Sequence, residues 1–312
     1  FKPVYMKPDD DAIGIYTMIF AIDGLSLSGS AKITGNVGTN SVNADSVDFA
    51  WSAKIDGNLF IGPGGEISQV VHSAQPDPKS NVTGEIANLE DARNYPLPIF
   101  PAIPVLPDKG DFTAGWWPAG PFTISESGAY DSINVQSQLT VNVGDEDVVL
   151  VTKDLSVTGN GKIIVDRTGT GRLILYVTDK LDVSGIGSIN KDGNYDSVEI
   201  FYSGSDELNF GGSTKISGSL FAKDANMEIG GSGGIMGHIV TGGSSVKVTG
   251  NANANARVVY APNAVLTLSG SGQLKGVAIA RSIHLSGAAK ITWDDAISID
   301  FFKDLDQGAI MP

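Results

Sequence analysis

Leu25-Ser-Leu27-Ser-Gly29-Ser-Ala-Lys-Ile33 and Ile283-His-Leu285-Ser-Gly287-Ala-Ala-Lys-Ile291 stand near opposite ends of the chain and read almost alike. The same pattern recurs between them as Leu155-Ser-Val157-Thr-Gly159-Asn-Gly-Lys-Ile163, Leu181-Asp-Val183-Ser-Gly185-Ile-Gly-Ser-Ile189 and Leu208-Asn-Phe210-Gly-Gly212-Ser-Thr-Lys-Ile216. It continues as Met227-Glu-Ile229-Gly-Gly231, Val246-Lys-Val248-Thr-Gly250 and Leu266-Thr-Leu268-Ser-Gly270. A further copy, Val47-Asp-Phe49-Ala-Trp51-Ser-Ala-Lys-Ile55, carries Trp where the others carry Gly. The copies starting at 208, 227, 246, 266 and 283 step by 19, 19, 20 and 17 residues.

Each copy reads apolar-x-apolar-x-Gly, a period of two that puts alternate side chains on one face of a strand, followed by a residue suited to a sharp turn. A unit of this length is too short for a helix pair and suits one coil of a parallel β-helix, each strand pairing with its equivalent in the next coil. At roughly 4.8 Å per coil, ten or so coils make a rod on the order of 50 Å long. Copies at both ends of the chain predict an all-β fold, one β-helix domain over residues 1–312. Residues 294–312 leave the repeat and are expected to cap an open end.

One segment breaks the pattern. Nine of the 14 prolines fall between Pro76 and Pro121, within a proline- and aromatic-rich insertion assigned to residues 72–125. Its run Pro96-Leu-Pro98-Ile-Phe-Pro101-Ala-Ile-Pro104-Val-Leu-Pro107 favours polyproline II backbone and has no place in a central strand. Val82, Ile86 and Leu89, spaced i, i+4, i+7, predict a short amphipathic helix over 84–93.

A second strand precedes each motif. Six positions before the motif starts stand Ile19, Val149, Leu175, Tyr202, Phe221, Val240, Tyr260 and Val277; one position earlier stand Met18, Val148, Ile174, Phe201, Leu220, Ile239 and Val259. Neighbouring strand residues point to opposite faces, so one of these columns is an outward apolar row. Alternation leaves open which column is interior. Such a row is either covered, with the insertion as the obvious cover, or is a contact surface.

The composition excludes several functions. With no Cys among 312 residues, a disulfide framework, a thiol nucleophile and a thiolate metal site are all ruled out. The 39 Gly reflect turns, since no G-X-Y period exists. A net charge of −14 without a Lys/Arg-rich run argues against nucleic acid or anionic membrane as partner. The longest apolar stretch, Ile13 to Ile22, is too short to span a bilayer. The chain opens at Phe1 without Met, which reads as a processed product or a piece of a longer chain.

Chemical motifs are sparse. His72, His238 and His284 lack metal-ligand spacing, and Gly230-Gly-Ser232-Gly-Gly234 matches GxSxG only formally, at the repeat's own turn. Asp145-Glu146-Asp147 and Asp294-Asp295 are candidate carboxylate groups for a polysaccharide lyase or hydrolase, but neither recurs in neighbouring coils. Asn190, Asp192, Asn194 and Asp196 alternate oxygen side chains around Gly193, a pattern that wraps Ca²⁺ or makes a plain turn; no other cofactor is expected. The chain has no Thr-x-Thr array of the kind ice binding requires. What remains is aromatic. Tyr95, Phe112, Trp116, Trp117, Tyr202, Phe221 and Tyr260 are the candidate carbohydrate-binding residues, because planar rings stack on pyranose faces and a rigid rod loses little entropy on binding. Each ring has an alternative role in pinning the insertion.

The coil motif, Tyr260-Ala-Pro262-Asn-Ala264 and Leu97-Pro-Ile-Phe-Pro-Ala-Ile-Pro104 together resemble β-helical domains of pilus-associated surface proteins from Gram-positive anaerobes. Among these the chain is most similar to the C-terminal domain of the tāpirins, cellulose-binding adhesins of thermophilic plant-degrading bacteria. The resemblance implies an extracellular, non-catalytic, cell-surface protein that holds cellulose through an apolar platform and a long loop. The expectation is therefore a monomeric adhesin for cellulose or a similar plant polysaccharide. An enzyme of the β-helix type and a pilus or filament subunit are the alternatives.

Overall fold

The computed structural model describes residues 19–118, 120–254 and 256–293. It is nearly all β, with parallel strands wound into a solenoid of about 12 turns. The motif residues form one ladder. Leu266 pairs with Ile283 on one side and Val246 on the other, and the series continues through Met227 to Leu208. Farther on, Leu181, Leu155, Ile133 and Phe112 follow in register. The two apolar residues of each motif point inward, and the following Gly turns the chain onto a short strand on the next side, such as Lys290–Thr292.

Eight of these glycines, at 29, 287, 270, 250, 231, 212, 185 and 159, stack at one corner with φ between +60° and +72°. A Cβ on Gly231 would lie 2.8 Å from the Gly212 carbonyl oxygen, so the corner excludes side chains by contact as well as by backbone conformation.

The stacking order departs from the chain order. The strand Ile19–Leu27 pairs with Val277–Leu285 on one side, Leu25 opposite Ile283, and with Val37–Gly38 and Val47–Phe49 on the other. The rod is thus two stacks, a long one of residues 112–293 and a short one of residues 19–88, that meet about a third of the way along. Its terminal coils hold Val71–Ser73 and Ile86–Asn88 at one end, Phe112–Ala114 and Phe122–Ile124 at the other.

The segment between residues 88 and 108 must therefore travel the whole rod. From Ala87 to Asp108 there are twelve inter-coil steps. At about 4.8 Å each they span roughly 58 Å, while the intervening backbone, at a polyproline II rise of about 3.1 Å per residue, reaches roughly 65 Å. The strap is nearly taut. It is moored at one end by Asn40, whose side chain both donates to the Arg93 carbonyl (2.7 Å) and accepts from the Arg93 N–H (2.8 Å). At the other end the Lys109 and Ala129 N–H groups donate to the Ala129 and Pro107 carbonyls, each at 2.8 Å.

Beneath the strap lies a second apolar cluster, which contains Phe20, Tyr176, Phe201, Phe221, Val240, Tyr260 and Ile279. Tyr95 packs on Phe20 (ring centroids 4.8 Å apart) and Phe100 on Phe221 (5.1 Å). The Tyr260 hydroxyl donates to the Pro96 carbonyl at 2.7 Å. The insertion is the cover of the outward row.

Three expectations are corrected. The two columns read from the sequence mix faces: Ile19, Leu175 and Tyr202 are interior, whereas Ile174 and Phe201 from the other column are outward. The spacing from outward residue to motif is five at Phe20, seven at Phe201 and four at Ile279, so a constant offset of six crosses from face to face. No helix forms over 84–93; Ile86–Asn88 is a strand on Leu59–Ile61, because pairing with a waiting strand edge outweighs a helix too short to nucleate. The insertion is narrower than 72–125, since its two ends complete the terminal coils. The proposed cap, 294–312, lies outside the described residues. No helix among the described residues is long and apolar enough to cross a membrane.

Two outcomes test this architecture. Gly231→Ala should lower the thermal midpoint more than Gly159→Ala: both cost about 1 kcal/mol or more for the left-handed backbone, but Gly159 faces open space and Gly231 does not. Deleting residues 103–106 removes about 12 Å of strap against roughly 7 Å of slack. That deletion should increase binding of an apolar dye, and a Gly/Ser replacement of equal length should not do so to the same extent.

Candidate functional site

The site grows from the terminal coil. Phe112–Ala114 pairs with Ile133–Val135, Phe122–Ile124 pairs with Leu139–Val141, and among the described residues no further coil pairs beyond these two strands. Trp116 and Trp117 stand on the loop between the two strands, 60% and 90% exposed. Farther along the same loop, an open groove of about 400 Å³ is lined by Gly120, Pro121 and Phe122 with Ser137, Gln138 and Thr140 of the neighbouring coil. Ser137 donates to the Ala114 carbonyl at 3.1 Å, which ties the groove to the strand that leads into the tryptophan loop. Flat rings on the same loop as a groove with amide and hydroxyl groups suit a ligand with apolar faces and a polar rim.

The remaining candidate rings are occupied elsewhere. Tyr202 is buried in the rod interior and its hydroxyl donates to the Asp179 carbonyl at 2.9 Å. Phe221 and Tyr260 are buried under the strap, where Tyr95 edges onto Tyr260 at 6.4 Å. Phe112 is half-buried at the rod's open end and edges onto Tyr130 at 6.3 Å. Tyr202, Phe221 and Tyr260 are thus withdrawn as binding residues, and Tyr95 is a pin of the strap. Only Trp116 and Trp117 of the seven are displayed.

The Asn190–Asp196 segment forms a hydrogen-bonded turn. Asn190, with φ +51°, donates through its side chain to the Asn194 and Ser217 carbonyls, and the Asn194 side chain accepts from the Asp196 N–H. No group of three or more His, Asp or Glu able to hold a metal occurs among the described residues.

Of the catalytic candidates, Asp145 and Glu146 are exposed at a bend. Ser232 lies in a corner turn of the glycine ladder, its N–H on the Gly212 carbonyl, with no helix behind it. His72 bonds Asp48 and His284 bonds Ser26, each at 2.6 Å, and His238 meets the Tyr195 ring edge-on. Asp147 accepts from the Arg172 backbone and guanidinium, while Asp294 and Asp295 lie outside the described residues.

Sequence reasoning missed two features. Trp51, seen only as an odd residue in the repeat, is 65% exposed next to the glycine corner. The groove residues Ser137, Gln138 and Thr140 had no signal, because they belong to the neighbouring coil and reach the tryptophan loop only through register.

The most perturbed carboxylate is Glu199. Burial raises its pKa, and the adjacent Arg172 guanidinium only partly opposes this, since Oε2 has no hydrogen-bond partner. Hydrogen bonding to Asp48 raises the pKa of the exposed His72, and hydrogen bonding to Lys32 lowers that of the exposed Asp56.

The fold and the displayed pair define a β-solenoid that carries an aromatic surface loop at one end. The chain belongs to the family described as a domain of unknown function, DUF7305, whose match covers residues 63–253, a span that includes both the strap and the tryptophan loop. No curated protein matches the sequence significantly. Among solved structures, an ice-binding protein with antifreeze activity, LeIBP, from an Arctic yeast aligns over 89% of this chain and 90% of its own. That alignment has 12% identity and a TM-score of 0.20, too low to bear on function.

Glu199 yields a pH test. With the folded pKa raised above the unfolded value, ionised Glu199 destabilises the fold, and its contribution is most favourable below the ordinary glutamate range. Glu199→Gln should therefore be more stable than the parent at neutral pH. That advantage should vanish as the pH falls below the ordinary glutamate pKa in paired thermal melts.

Proposed function

We propose that this chain is a non-catalytic, extracellular binding module that attaches to cellulose or a similar neutral, insoluble plant polysaccharide through Trp116, Trp117 and the groove farther along their loop. One observation carries the reading. Two adjacent tryptophans stand displayed at the end of a rigid rod whose other large aromatic row is fully roofed by the strap. Exposing such rings to water has a cost of roughly 2 kcal/mol each that a ligand face relieves.

The rest of the molecule fits a neutral polymer. Gln138, Ser137 and Thr140 offer uncharged hydrogen-bonding groups at the groove, and a chain of net charge −14 repels a polyanion unless cations bridge the two. A solenoid locked by continuous pairing presents its loop with little conformational entropy left to lose. The resemblance to the tāpirins supports the same ligand and a place on the cell surface.

A pull-down on microcrystalline cellulose tests the proposal. The parent should sediment with the solid, and Trp116→Ala with Trp117→Ala should weaken binding by about fivefold or more, from roughly 0.5–1.5 kcal/mol per stacked ring. Tyr202→Phe, buried in the interior, should bind like the parent. A parent that stays in the supernatant sinks the reading.

A further inference from the structure

The strap is more than a cover. Polyproline II backbone has three residues per turn, so residues three apart share a face. Leu97 and Phe100 pack on the roofed cluster and Leu106 is half-buried, whereas Ile103, on the same register, is 40% exposed. Pro98, Pro101, Pro104 and Pro107 line a second face. Ile99, Ala102 and Val105 form the third, which points to solvent; Ile99 is 89% and Val105 100% exposed. The proline-rich strap, moored at both ends, therefore presents exposed apolar residues along the rod.

Polyproline II ridges are recognised by exposed aromatic rings, which lie flat against the prolines and the apolar residues between them. This same molecule displays such rings, Trp116 and Trp117, on its terminal loop, and Trp117 is too exposed to be resting on its own strap. Charge points the same way. Two copies of net charge −14 repel, yet the ridge over 94–107 and the loop over 113–125 contain no charged residue. These are the surfaces where two copies approach with least repulsion.

We propose that the strap of one copy is a docking ridge for the Trp116–Trp117 loop of a second copy. Two tryptophans bury about 150–250 Å² each, so the contact falls below the roughly 1,200 Å² of a stable interface and belongs to the weak, reversible class. A ring stacked on a proline cannot stack on a sugar at the same moment, so the two ligands compete for one pair.

Sedimentation of the full chain tests this. The parent should gain mass reversibly between micromolar and millimolar concentration. Trp117→Ala, and separately Ile99→Asn with Val105→Asn, should each remain monomeric; all three side chains are exposed, so folding is preserved. Mixed together, the two variants should form a dimer and nothing larger, because one retains only the ridge and the other only the ring pair. A parent that stays monomeric, or a mixture that does, overturns the proposal. The polysaccharide reading fails separately: the strap variant retains the ring pair and should still bind cellulose, and a soluble cello-oligosaccharide should dissolve the parent's association. If that oligosaccharide has no effect and the pull-down fails while the mixture still pairs, the ring pair is a self-docking device alone.

Discussion

The pairing of Ile19–Leu27 with Val277–Leu285 is the constraint on which the rest of the structure depends. It joins the first and last described coils side by side, so the two far ends of the rod are consecutive in sequence and must be linked by chain running outside it. Everything distinctive about the segment after Asn88 follows from that demand. It must be long enough for twelve inter-coil steps, stiff enough not to collapse, and independent of strand pairing along its course. A proline every third residue meets all three conditions, since polyproline II backbone is extended and needs no internal hydrogen bonds.

That route also settles which surfaces are available. An outward row containing Phe20, Phe201, Phe221 and Tyr260 would make a bare solenoid adhere to anything apolar. The strap takes up that surface with Tyr95, Leu97 and Phe100 and turns other residues, Ile99 and Val105, outward. Apolar display is thereby moved from a broad sheet face to a narrow ridge and a terminal loop. The Trp116–Trp117 loop stays exposed for a related reason: it belongs to the terminal coil, and no further turn among the described residues covers it.

Much of the fold was legible in the residues. Alternation of apolar side chains followed by Gly specifies a strand and a corner at each copy, and a chain with this pattern at both ends has no economical alternative to a solenoid. Gly29, Gly231 and Gly287 were recognisable as turn residues because the left-handed conformation they adopt is open to few others. The site was half legible. Trp116 and Trp117 stood out as adjacent rings between Gly115 and Pro118, but Tyr202 and Tyr260 had the same composition signal and opposite fates. Facing in a strand depends on register, and a change of one residue in the spacing between two strands reverses it.

By itself the sequence determined the fold class, the repeat, the glycine corner and the existence of a proline-rich element foreign to the coils, because each is written in local periodicity and backbone preference. Only the tertiary structure decided the order of the coils, the path of the strap, the facing of each aromatic residue and the groove formed by Phe122 with Gln138. Those depend on which strand edges find each other across the whole chain, as Leu25 finds Ile283, and pairing between distant segments leaves no period in the residues near either one.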